Sequence, residues 1–441
     1  MRARGYSPLT SCFTGFTWLT LGSILGLAIL IGLVRGTPLP SWVRSLHVHA
    51  TLIGGVAQIL LGGLLLLVAP PESKTNLGSN SRPFTFWALN GGVIGMLVGF
   101  WLHHDLVVGI AGFAVIAGFL SIIRGIWIHA RPAWNSSFGP SWYYALFFFG
   151  LVGGSICGAL LAFGFFPEHR GYVRLAHIHL VVLGFVTLIL VDMMHRILPT
   201  VWSTTLAHPR LVRFTTIFLA IGMVALIGGF MNSSVPVEMI AGAVLFVSVG
   251  LLIGNLFGTW LSSSHTGSAA SDHLLVSTFF LLFTVLLGIL IGANNLSSPP
   301  VLPYGTLHLV AYTHMAFVGF IMNATMGACS HLLPSALAAH RVVGHKKRIL
   351  YCDQLTTIMN RGRSIQVATL SLGTMGIGIL ATLTWNVPLS SIYIHTTMWT
   401  CFILLLTSFL LFAIKLTTMV AKQPEPLASA HHESNSTANP G

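Results

Sequence analysis

Twelve apolar segments, each long enough to cross a lipid bilayer, occupy most of this 441-residue chain and leave it two solvents, hydrocarbon and its own interior. They lie near residues 13–34, 45–69, 83–102, 106–128, 142–166, 172–198, 214–232, 236–260, 273–293, 304–333, 364–385 and 391–414. In hydrocarbon a backbone must satisfy its own hydrogen bonds, which leaves only helices and closed barrels. Apolar runs of about 20 residues select the helix. The chain therefore reads as an all-α integral membrane protein with a single twelve-helix domain over residues 1–420. A polar tail follows over 421–441, "KQPEPLASAHHESNSTANPG" with its preceding turn, whose composition predicts disorder and solvent exposure for His431 and His432.

Only 7% of residues are charged, yet the formal charge is +12, so the location of the cations decides their meaning. Threading the twelve segments back and forth puts seventeen Lys and Arg on the side of the N-terminus. Four, Arg35, Arg44, Arg170 and Arg174, fall on the other. The positive-inside rule then expects both termini in the cytoplasm of a multi-pass protein of the bacterial inner membrane. The basic excess is accounted for by orientation and by contact with anionic lipid, and nucleic acid is not needed to explain it. The stretch from Ser335 to Arg363 reads as the main cytoplasmic loop. The first segment has no small-residue cleavage site and reads as an uncleaved span. Five scattered cysteines form no C-x-x-C, which excludes a disulfide framework and a covalently attached haem.

Histidine is the anomaly. There are twenty, against nine acidic residues. The expected topology gathers ten of them in the outer half or at its edge: His47 and His49, His103 and His104, His169, His177 and His179, His308 and His314, and His395. An internal repeat orders them, because "HVHATLIGG", "HIHLVVLGF" and "YTHMAFVGF" share the pattern [HY]-x-H-x-x-x-x-G in the second, sixth and tenth segments. Their second histidines are 130 and 135 residues apart. "HRILP" and "HLLP" then end the sixth and tenth segments alike. Four segments per period imply three four-helix units around a pseudo-threefold axis.

Positions i and i+2 on a helix point about 200° apart, so an H-x-H helix offers imidazoles to cavities on both its sides. Gly54, Gly184 or Gly319, five residues on, lies about 140° from the second histidine, open to a neighbouring helix or a flat macrocycle. Imidazoles at the rim of an apolar cavity are what a bis-histidine haem requires. A single buried histidine is more commonly a hydrogen bonder between helices, which is the expectation for His129, His195 and His331. Tyr312 reads as a packing or interfacial residue, or as a donor beside a metal.

Twelve helices in three units, with histidines at the outer ends of the second, sixth and tenth, resemble subunit I of the haem-copper oxidase superfamily. "AHIHLVVLGFVTLILVDMMHRILP" is similar to the H-x-H-x-x-x-x-G-[FW]...[YH]-R-x-x-P pattern of its cbb-type oxidase and nitric oxide reductase branch. The resemblance implies one or two b-type haems and a copper or non-haem iron, fed by an electron-donor subunit or cytochrome, and an oxidoreductase acting on dioxygen or nitric oxide. It implies His49 or His47 and His314 as axial ligands of a low-spin haem and His179 or His177 as a copper ligand, while His308, a turn or more above Tyr312, is a further cofactor-binding candidate outside the family's pattern. Two family features are absent. Tyr312 replaces the first histidine of the tenth segment, and the seventh lacks a histidine pair, which leaves His103, His104 and His395 as substitute metal ligands. The only acidic residue well inside a span is Asp192, so a carboxylate-lined proton pump is not expected. Two alternatives stand beside this one. The chain is also similar to the NnrS-like haem and copper proteins of nitric oxide stress, and histidine-lined spans serve equally in a metal transporter or sensor without turnover.

Overall fold

The computed structural model describes residues 7–68, 81–130, 141–264, 267–297, 306–383, 387–388 and 390–424. Among these there are thirteen helices and no strand, and twelve of the helices are long and apolar enough to span a membrane. We label them α1 (Pro8–Val34), α2 (Ser41–Val68), α3 (Ser81–Trp101), α4 (Asp105–Ala130), α5 (Ser141–Ala162), α6 (Pro167–Val201) and α7 (Pro209–Met231). There follow α8 (Val235–Leu261), α9 (Ala269–Asn294), α10 (from Thr306 to Arg341), α11 (His345–Asn360), α12 (Arg363–Leu383) and α13 (Ile392–Ala421). The boundaries follow local chemistry. Ser7 accepts from the Thr10 amide ahead of Pro8 at the start of α1, and Ser268 with Ser271 forms a reciprocal capping box on α9.

The expected threefold repeat is present in the packing. In each unit the first helix (α1, α5, α9) lies on the middle of the second (α2, α6, α10), and the last two helices form a tight antiparallel pair: α3 with α4, α7 with α8, α12 with α13. The lower halves of α2, α6 and α10 meet one another on the central axis. Burial follows from this placement. The hydropathic windows of α2, α6 and α10 are 72%, 56% and 83% buried, and no other span exceeds 50%. The second helix of each unit is therefore protein-surrounded, and it is the one that carries the histidine motif.

Two expectations change. The Ser335–Arg363 segment is not a loop: α10 runs on to Arg341, and α11 follows a turn at Gly344, whose φ of +102° suits glycine. Tyr351, Leu355, Ile358 and Met359 give α11 a buried stripe, while Lys346 and Lys347 stay exposed. Likewise Pro199 and Pro334 do not end their helices but lie inside them. Neighbouring helices in a membrane bundle re-satisfy the backbone groups that a proline frees. The tail beyond residue 424 lies outside the described residues.

Asp192, the acidic residue inside α6, is held in a buried ion pair. Arg196 Nε lies 2.9 Å from Asp192 Oδ2, and Arg196 Nη2 donates to Tyr144 at 2.5 Å. Both side chains of the pair are nearly enclosed, so the cation does not reach for the lipid headgroups as a snorkelling arginine does. Removing one partner of a buried pair leaves the other charge without its counterion. Asp192→Ala is thus expected to cost about 3–5 kcal/mol, read as a lowered thermal midpoint of the detergent-purified protein.

Candidate functional site

The histidine motif sits on an unusual backbone. Directly after His49, His179 and His314 the α-helix gives way to eight residues of π-helix: Ala50–Ala57, Leu180–Thr187 and Met315–Met322. π-Helical turns are rare and gather at functional sites, because the extra residue per turn re-aims the side chains above it. Three at one register, one per unit, make the repeat a structural one. Within the second, Thr187 Oγ1 donates to Val182 O, five residues back, as the wider turn dictates. The motif glycines fall at the fifth π position, and there they admit a helix rather than a macrocycle. A Cβ on Gly54 would stand 2.6 Å from Trp18 Cγ of α1, one on Gly184 would stand 3.2 Å from Gly150 Cα of α5, and one on Gly319 would overlap Phe280 of α9.

Each imidazole is held by its Nδ1. The second histidine of each motif donates to its own helix four residues back: His49 to Ser45 O at 2.8 Å, His179 to Leu175 O at 2.9 Å, His314 to Val310 O at 2.8 Å. The first donates across to the preceding helix: His47 to Gly22 O and His177 to Gly154 O, each at 2.7 Å. With Nδ1–H so engaged, Nε2 keeps its lone pair, which is the tautomer a metal-ligating histidine adopts. The back-bond alone is not diagnostic, since His195 makes the same one to Val191 O deep in α6. The cross-helix bonds of His47 and His177 are the distinguishing feature. Gly26 and Gly158 make room for them, where a Cβ would come within 2.6 and 2.9 Å of the respective Cε1 atoms.

The two histidines of a motif face different neighbours, as their spacing requires. His314 of the third unit and His47 of the first lie within Coulombic range of each other, as do His49 of the first and His177 of the second. Closing the cycle, Tyr312 of the third unit directs its hydroxyl at His179 Nε2 of the second, 3.4 Å away. At each interface between units the second motif position of one unit is thus the neighbour in sequence register of the first position of another, and at the Tyr312–His179 interface the two are in contact. A cavity of about 2170 Å³ reaches His47, His49, His103, His177, His314 and His395. His179 and Tyr312 do not line it. Its walls are mostly Leu, Ile, Val, Phe and Met, and at its mouth stand Arg35, Arg44, Arg170 and Arg174, the four cations that the topology set apart from the rest.

His103 and His395 reach the cavity from other elements. His103 and His104 are exposed in the α3–α4 turn, where His103 adopts φ 54° and His104 N–H donates to Gly99 O at 2.8 Å. Ser233 and Ser234 make the same turn between α7 and α8, which assigns both histidines a helix-capping place. His395 lines the cavity from α13, and the side chain of His308 lies outside the described residues. Among the described residues no three of His, Cys, Asp and Glu stand together as a metal-ion site. His103, His104, His177, His179 and His395 are therefore not drawn into one centre. At the opposite end of the bundle is a buried set that the sequence reading passed over. His273 Nδ1 donates to Asn323 Oδ1 at 2.7 Å, and Lys415 donates to Gln366, with all four side chains enclosed. The only signal for it was a set of polar residues inside otherwise apolar spans.

The chain matches no protein-family model and no characterised protein.

Proposed function

We propose that the protein is a haem-binding redox protein of the membrane, holding a b-type haem between His47 and His314. The observation that carries this is the pairing itself. Two imidazoles from different units, each with Nδ1 tied to a carbonyl and Nε2 left with its lone pair, flank one apolar cavity. The donor set fits the group: nitrogen for iron, aliphatic and aromatic side chains for the ring, and guanidinium groups at the mouth for the carboxylates. A bound haem supplies one-electron chemistry, and the chain supplies ligation, a dry enclosure and charge. With His47 and His314 both holding the group, the site would suit an electron carrier. On the positive-inside reading the cavity opens at the outer face, where a partner cytochrome or donor subunit delivers electrons, and the bilayer surrounds the rest. Reduction of dioxygen or nitric oxide, which the resemblance implies, needs in addition an iron with an open face.

A histidine-lined transporter would more commonly show inverted repeats with broken helices at the midplane. Here the three units repeat in one orientation with continuous helices. Visible spectra of the purified protein, oxidised and then reduced with dithionite, test the proposal. A Soret band that shifts on reduction, with a sharp reduced α-band, is the expected result. A colourless preparation from cells supplied with haem precursor overturns it.

A further inference from the structure

The cavity has two histidine pairs, and the pseudo-threefold rotation relates them. Turning unit 1 onto unit 2 carries His47 onto His177, and turning unit 3 onto unit 1 carries His314 onto His49. The correspondence extends to everything that holds the rings. His47 and His177 both donate to a carbonyl of the preceding helix at 2.7 Å, Gly22 O and Gly154 O. His314 and His49 both donate four residues back at 2.8 Å. Among the described residues, none of the four Nε2 atoms has a hydrogen-bond partner.

Two more features recur at these interfaces and fail at the third. "RSLHVH" and "RLAHIH" place Arg44 and Arg174 three residues before His47 and His177, hence one turn above and on the same helix face, where both line the cavity mouth. In the third unit Leu309 holds that position and Tyr312 replaces the histidine. There the hydroxyl meets His179 directly, outside the cavity. The cavity has room beyond one site. A single small-molecule site takes roughly 300–1,000 Å³, and the continuous cavity measures about 2170 Å³.

We infer that the His49–His177 gap between units 1 and 2 is a second haem site, with Nε2 of each histidine on the iron and Arg174 facing the carboxylate edge. This rests on the reading of His47 and His314 as a haem site and deepens it, to two haems in one enclosure and none at the Tyr312 interface. Haem per polypeptide, measured by pyridine haemochrome on the purified full chain, should be two. His177→Asn, whose amide preserves the hydrogen bond to Gly154 O but offers no imidazole, should reduce it to one. The low-spin ferric EPR spectrum of the wild-type protein, which requires no variant, should contain two signals. One haem per chain with a single EPR signal, unaffected by His177→Asn and lost in His314→Ala, overturns the second site and leaves the first standing. Zero haem overturns both.

Discussion

His314→Ala removes one haem per chain and halves the reduced α-band, whereas His195→Ala, a substitution at a more deeply buried imidazole, leaves the spectrum unchanged. His314 and His195 make the same back-bond, to Val310 O and Val191 O. They differ in surroundings: His314 faces the cavity and His195 is enclosed in the core of α6. Loss of an axial ligand is expected to exceed the 10–100-fold that outer-shell changes around a metal typically cost. Gly26→Val should mimic the effect without touching a ligand, because a Cβ at Gly26 stands 2.6 Å from His47 Cε1 and turns the ring from its place. Haem content and the reduced spectrum report both. Full haem in His314→Ala would exclude His314 as a ligand, and full haem in Gly26→Val would show that His47 can be displaced without consequence.

The histidine arrangement was legible from the sequence because it depends on two simple periods. The 130- and 135-residue repeat gave the units, and the 200° between i and i+2 placed the imidazoles on opposite sides of α2, α6 and α10. The backbone beneath them was not legible. Hydropathy reports burial and leaves the pitch open, so Ala50–Ala57, Leu180–Thr187 and Met315–Met322 read as ordinary α-helix. The arithmetic that left the motif glycines facing a helix or a macrocycle assumed 100° per residue, which the π-turn breaks. Nor could a sequence say which unit neighbours which. Assigning His179 or His177 to a metal left open that His177 shares the cavity with His49 while His179 meets Tyr312 outside it. Nor does the sequence reveal that His103 stands in the left-handed region of a turn, where His, Asn and Asp are enriched.

Gly150→Leu prevents assembly of the bundle, and even Gly150→Ala destabilises it. Helices in a membrane gain nothing by leaving lipid for one another's apolar surfaces, so close packing at small residues must hold them. Gly150 of α5 and Gly184 in the π-turn of α6 meet backbone to backbone, and a Cβ on Gly150 would overlap the carbonyl group of Gly184. No side chain there can rotate aside. The equivalent place in the first unit holds Trp18, whose side chain lies on Gly54, so the two backbones do not meet there as they do at Gly150. Overpacking of this kind costs about 1–3 kcal/mol and more when backbone must move, and the displaced segment carries His177 and His179 at its upper edge. Gly250→Ala is the control. Gly250 is exposed on α8 with no atom within 4 Å of its would-be Cβ. Alanine there should be neutral, or stabilising by roughly 0.5–1 kcal/mol through helix propensity. Thermal unfolding followed by size-exclusion monodispersity ranks the two. Equal midpoints for Gly150→Ala and Gly250→Ala would mean that the approach of α5 to α6 does not hold the second unit together, and that the π-turn owes its geometry to something other than that contact.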